Sequence, residues 1–164
     1  MARQSLGKIG ALFMALAYPL AADPLDLLKT DLSMALGEAA STGRHLHIAF
    51  IGEGWSMTSN RFMETVLQSE TSIAFAEAHL VQIEVRSRRK PKLTKAETAR
   101  LQSLVIHFDI KSWPTVILIG PDGTEVLRHG YKDLSGEAYA ATLQNLVGPA
   151  PEQSPNSDQT RLMK

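Results

Sequence analysis

Apolar positions change period several times along this chain, and each change marks an element. From Leu25 to Ala40 they recur at Leu25, Leu28, Leu32, Leu36 and Ala39–Ala40, a helical stripe that Gly43 is placed to end. Leu46 to Ile51 is short and nearly unbroken in apolar character, the pattern of a central buried strand. Helical spacing returns from Ser56 to about Gln68, with Phe62, Met63, Val66 and Leu67 facing inward, and again from Thr71 to Ala78. Leu80 to Val85 alternates apolar with polar, as a strand does. Arg86 to Lys92 reads as a basic loop, and Thr94 with Glu97 has the spacing of a capping box opening a helix to about His107. Thr115 to Ile119 is β-branched, Pro121-Asp122-Gly123 is turn chemistry, and Glu125 to Tyr131 returns as a hairpin partner. Ser135 to Val147 predicts a closing helix that stops at Gly148. The order α-β-α-β-α-β-β-α predicts an α/β domain with a mixed four-stranded sheet and helices on both faces.

The two ends lie outside this pattern. Arg3 and Lys8 precede a short apolar run, Ile9 to Ala17, and Leu20-Ala21-Ala22 offers a small-residue cleavage site before Asp23. Residues 1–22 thus read as a signal peptide rather than a membrane anchor, because a span needs roughly 18–20 apolar residues. This predicts an exported protein, periplasmic or secreted, with no membrane span after cleavage. Residues 149–164 contain Pro149, Pro151 and Pro155 among polar residues and are expected to be a disordered tail. The domain is then 23–148.

Composition removes several functions. The chain of 164 residues suits one domain with a real core. Its formal charge is zero, so no polyanion partner follows from the whole, and no aromatic-interleaved basic stripe suggests nucleic acid. There is no cysteine, hence no disulfide, no thiolate metal site and no thiol redox couple. His45, His47, His79, His107 and His129 lack the spacing of a metal site, and alternation places His45 and His47 on one strand face.

Three motifs, in order, resemble the thioredoxin superfamily, specifically its exported bacterial members: Gly54-Trp55-Ser56-Met57-Thr58-Ser59, Phe108 to Thr115 with Ser112-Trp113-Pro114-Thr115, and Pro121-Asp122-Gly123 after an apolar strand. The likeness covers roughly residues 30–147 and implies a thioredoxin-like fold with an added N-terminal helix. By position, Ser56 and Ser59 stand where that family has its nucleophilic and resolving cysteines. Phe50 stands where its thioredoxin-type members have a buried acid, and Asn60 where a lysine is common. Disulfide exchange needs a thiolate, so no shift of pKa restores it. The resemblance also implies a cis bond at Pro114 and, beside it, main-chain pairing with an extended client segment.

The expectation is therefore a redox-inactive domain that binds a protein or peptide partner in the cell envelope, as an adaptor or chaperone-like factor. It has no catalytic residue, no metal and no cofactor. Trp55, Ser56, Met57, Trp113, Pro114 and Thr115 are the candidate peptide-binding residues. Each has a plainer reading: Ser56 or Thr58 as a helix cap, Pro114 as a turn former, and Trp113 as core packing. Arg86, Arg88, Arg89, Lys90 and Lys92 form a candidate patch for an anion or partner, against the plainer reading of a solvated loop. Two other functional classes stay open. One is an enzyme using a glutathione-type pocket around Ser56, which needs a base close to that hydroxyl. The other is an envelope-surface anchor through the basic segment 86–95.

Overall fold

The computed structural model describes residues 24–149, with side-chain placements from Asp31 onward. The expected signal segment and residues 150–164 of the expected tail lie outside the described residues, as do the side chains of Leu25 and Leu28.

Ten elements follow one another: α1 (Pro24–Thr42), β1 (His45–Glu53), α2 (Met57–Phe62), a π-helical turn (Met63–Leu67), α3 (Glu70–His79), β2 (Leu80–Arg88), α4 (Lys95–His107), β3 (Thr115–Ile119), β4 (Glu125–Gly130) and α5 (Gly136–Val147). The sheet runs β2-β1-β3-β4, with β1 and β2 parallel and the other two pairings antiparallel. This is the mixed four-stranded sheet that the hydrophobic pattern predicts.

β1 carries the core on both sides. Leu46, Ile48 and Phe50 pack with Val81, Val85, Ile117 and Ile119 beneath α1 and α4. Ala49 and Ile51 pack with Val116 and Leu118 against Phe62, Val66, Ala76, Tyr139 and Leu143 from the helices of the other face. An unbroken apolar run is needed here because neither face meets water.

Two boundaries differ from expectation. β2 extends to Arg88, three residues past Val85, since its pairing with β1 continues through Ile51↔Arg86, Gly52↔Ser87 and Glu53↔Arg88. Arg86 and Arg88 are therefore strand residues, and the basic loop begins at Arg89. The helix expected from Ser56 to Gln68 is instead α2 followed by the π-helical turn, in which the spacing of Phe62 and Val66 still keeps both buried. The capping box at Thr94 and Glu97 forms with both of its hydrogen bonds. Gly123 has φ +83, the left-handed geometry that the β3–β4 turn requires.

Candidate functional site

The end of β1 and the start of α2 are held by short main-chain contacts. Ser56 N–H donates to the Gly52 carbonyl at 3.0 Å. A Cβ on Gly52 would lie 2.8 Å from the Ser56 Cβ and 2.9 Å from the Trp55 ring, so only glycine lets that ring fold back over the strand end. Trp55 Nε1–H then donates to the Ser87 carbonyl at 2.8 Å, tying the ring to β2.

Ser56 is the N-cap of α2. Its Oγ accepts from Ser59 N–H at 3.2 Å, in extended backbone geometry. The same Oγ lies 3.2 Å from the Trp113 carbonyl oxygen and donates to it, and Thr58 Oγ1 donates to that carbonyl at 3.1 Å. Both hydroxyls thus reach the oxygen next to Pro114, and they also lie 3.1 Å from each other. Ser59 is fully buried, and its Oγ accepts from Gly52 N–H at 3.0 Å. Asn60 Oδ1 accepts from Gly54 N–H at 3.0 Å. Among the described residues no histidine, lysine or carboxylate hydrogen-bonds to Ser56, so nothing there activates its hydroxyl.

Phe50 begins a run of edge-to-face rings. It meets Phe108 at 5.7 Å on one side and Trp113 at 6.1 Å on the other. Trp113 meets Trp55 at 5.9 Å, and the Arg89 guanidinium sits 5.4 Å from the Trp55 ring centre. This column runs from the closed core to the surface. Such contacts are each worth about 0.5–1.5 kcal/mol beyond area burial. Phe50 is the foot of this column, and a charge at its position would be desolvated among rings.

The expected site residues fall into groups. Trp55, Ser56, Met57 and Trp113 share one end of the sheet, with both tryptophans half-buried and Met57 86% exposed. Trp113–Pro114 is cis, as the resemblance implies, and so is Lys90–Pro91. Pro114 and Thr115 are buried, and Thr115 Oγ1 donates to the Ser112 carbonyl at 2.7 Å, so these two support the loop from below. Arg86 pairs with Glu84 at 2.6 Å and Glu53 at 3.4 Å, and Arg88 pairs with Glu97 at 3.1 Å. Hydrogen bonding to Glu84 raises the Arg86 pKa above its ordinary value. The paired arginines separate in role from Arg89, Lys90 and Lys92, for which no ion pair is found among the described residues.

Sequence reasoning missed the Arg89–Trp55 contact and the use of Thr58. Neither has a local signal, since each partner arrives from another part of the chain. It also missed the depth of His47. That ring is buried on the α5 face, where Nε2 and the Tyr139 hydroxyl share a hydrogen bond of 2.8 Å. Burial lowers the His47 pKa to about 4, helped by His129, and burial alone raises that of Tyr139. His45, one of the pair expected on one face, is only half-buried at the strand's start. Among the described residues no three His, Asp or Glu side chains are placed to hold a metal, and no helix is long and apolar enough to cross a membrane.

No protein-family model matches the chain. The disulfide bond reductase DsbH of Chlamydia pneumoniae is 23% identical over 113 residues, which is 69% of this chain and 68% of that protein. A solved DsbH oxidoreductase superposes with a TM-score of 0.63 at 23% identity, covering 70% of this chain and 80% of the other. The oxidised C-terminal domain of Neisseria meningitidis DsbD gives 0.54 at 15% identity, covering 74% and 95%. The chain has a thioredoxin fold and contains no cysteine.

Proposed function

We propose that this domain is a redox-inactive member of its fold that binds a protein or peptide partner in the cell envelope through the Trp55–Met57–Trp113 surface. The reductase chemistry in the name of its relative does not carry over, because the chain has no cysteine thiolate to attack a disulfide. Export rests on the basic and apolar pattern of residues 1–22.

The observation that carries the reading is Met57, 86% exposed on the first turn of α2 beside two half-buried tryptophans. Adaptable methionine and anchored tryptophan are side chains enriched where proteins recognise one another. The hydroxyls of Ser56 and Thr58 change how a partner can be held. Since both lie within hydrogen-bond reach of the Trp113 carbonyl, a client donor there competes with them. Recognition is therefore shifted from strand-like main-chain pairing toward side-chain contact.

The test compares wild type, Met57→Asp and Trp113→Ala as baits on the native envelope fraction. Met57 projects into solvent, so its substitution leaves the fold intact and is expected to remove the partner. Retention of the same partner by Met57→Asp would refute the surface. Insulin reduction with a recycling dithiol is expected to stay at background, and clear turnover would refute the redox-inactive reading.

The basic segment as an anchor for anionic polymers is a weaker reading, because Arg86 and Arg88 are committed to carboxylates. The glutathione-type enzyme has no base at Ser56 among the described residues to support it.

A further inference from the structure

Charge is spread unevenly around the Trp55–Met57–Trp113 surface. Toward β4 the charges largely answer one another. Arg61, one turn along α2 from Met57, pairs with Asp133 at 3.1 Å, and Asp133 also accepts from the Tyr131 hydroxyl at 3.0 Å. Lys111 pairs with Asp109, which leaves Lys132 on that flank without an ion pair among the described residues. Toward β2 the balance is different. Six basic residues lie between Glu84 and Glu97, and the facing end of β1 adds a single acid, Glu53. Those three carboxylates engage Arg86 and Arg88. Arg89, Lys90 and Lys92 remain, all exposed in the loop between β2 and α4, and no ion pair of theirs is found among the described residues.

Arg89 joins this excess of positive charge to the apolar surface. Its guanidinium lies 5.4 Å from the Trp55 ring centre, and that ring is fixed in turn by Trp113 and by its own Nε1–H on the Ser87 carbonyl. A ring face attracts the cation without saturating its five N–H donors. The planar fork is therefore held at the edge of the tryptophans with donors left for a bidentate carboxylate. Holding a long side chain in place beforehand lowers the ordering cost at binding.

From the uneven charge and the pinned guanidinium together, we infer that the partner segment is acidic as well as apolar. It sets an aromatic or aliphatic anchor on Met57 and Trp113 and a carboxylate on Arg89, and its further acidic residues run over Lys90 and Lys92. The spacing follows from the column. Separations of 5.4 and 5.9 Å put the guanidinium no more than about 11 Å from the Trp113 ring centre. At about 3.3 Å per residue, an extended segment covers that distance in two or three residues. The segment thus crosses Trp55 toward the β2–α4 loop rather than following α2 toward Arg61. This deepens the partner-binding reading of the same surface and rests on it.

The probe is a displayed library of random peptides, selected on the full-length protein. Enriched sequences are expected to carry Asp or Glu two or three residues from an aromatic or aliphatic anchor. The most enriched peptide is then titrated by calorimetry beside a match with its acids changed to amides. The amide match, and the variant with Arg89→Ala, Lys90→Ala and Lys92→Ala combined, are each expected to weaken binding by roughly tenfold or more, with the difference shrinking at high salt. Met57→Ser removes the apolar contact without adding charge and is expected to weaken it as much. Enriched peptides that are apolar without acids, and that Met57→Ser still releases, would overturn the acidic segment while the partner surface stands. Peptides that both Met57→Ser and Trp113→Ala leave bound, or no enrichment at all, would overturn the two together. Acidic peptides that keep wild-type affinity for the folded triple variant would overturn the acidic segment, as would equal binding of a scrambled peptide that separates acids from anchor.

Discussion

The two faces of β1 handle their most demanding side chain in opposite ways. Toward α1 and α4, Phe50 is the foot of a ring column that ends at Arg89 on the surface. Toward α5, His47 is kept as a titratable group but sealed in, 2% exposed, with the Tyr139 hydroxyl as its ring partner. One face packs rings and carries core packing outward to the candidate surface at Trp55 and Trp113. The other retains ionisable chemistry and isolates it from any surface. A single strand can therefore supply both a rigid support for binding and a buried polar pair, because alternation gives each residue only one face to satisfy.

The largest loss is expected on the apolar side of β1. Phe50→Ala deletes a fully buried ring and the support of Trp113, and is expected to cost about 3–5 kcal/mol in urea unfolding. It should also increase solvent quenching of tryptophan fluorescence, since Trp113 loses its inner neighbour. A cost near 1 kcal/mol would mean that the column does not anchor the surface.

The polar side makes a prediction in pH. The folded-state pKa of His47 is lowered to about 4 from an ordinary 6.5, so the unfolded chain takes up a proton more readily. The neutral ring's contribution is complete above about pH 6.5 and is lost as pH falls toward about pH 4, by about 3 kcal/mol in total. Carboxylates titrate in the lower part of that window, so the quantity to measure is the wild-type stability minus that of His47→Gln. That difference should shrink as pH falls, and a difference independent of pH would show that His47 is not held neutral by burial.

Much of the fold was legible because it is written in apolar spacing. The runs Leu46 to Ile51 and Thr115 to Ile119 are strands in the centre of the sheet, where both faces are buried. The last three residues of β2 were not legible, because an edge strand can end in polar residues while its main chain still pairs with Ile51 to Glu53. The candidate site was legible as a set of positions: Trp55, Ser56, Met57 and Trp113 do converge. What they do to one another was hidden. The Ser56–Trp113 contact joins residues 57 apart, and the His47–Tyr139 bond joins residues 92 apart. Such pairs are decided by how helices settle on the sheet, which no local pattern encodes.

The smallest effect lies at the exposed end of the column. Arg89 places its guanidinium over the Trp55 ring, while the ring's inner edge meets Trp113 and its Nε1–H holds Ser87. Because Arg89 is exposed, water competes for the cation, and the contact is worth about 0.5–1 kcal/mol. Arg89→Ala should lower stability by no more than that, with the loss diminishing at high salt. Its larger consequence falls on recognition. Removing the guanidinium uncovers Trp55, so a purely apolar partner segment should bind as well or better, whereas one with a carboxylate next to its apolar anchor should bind more weakly. Calorimetry with matched peptides, one acidic and one neutral, separates the two. If both peptides respond alike to Arg89→Ala, Arg89 is only a lid on the ring, and the column ends at Trp55 without selecting charge in its partner.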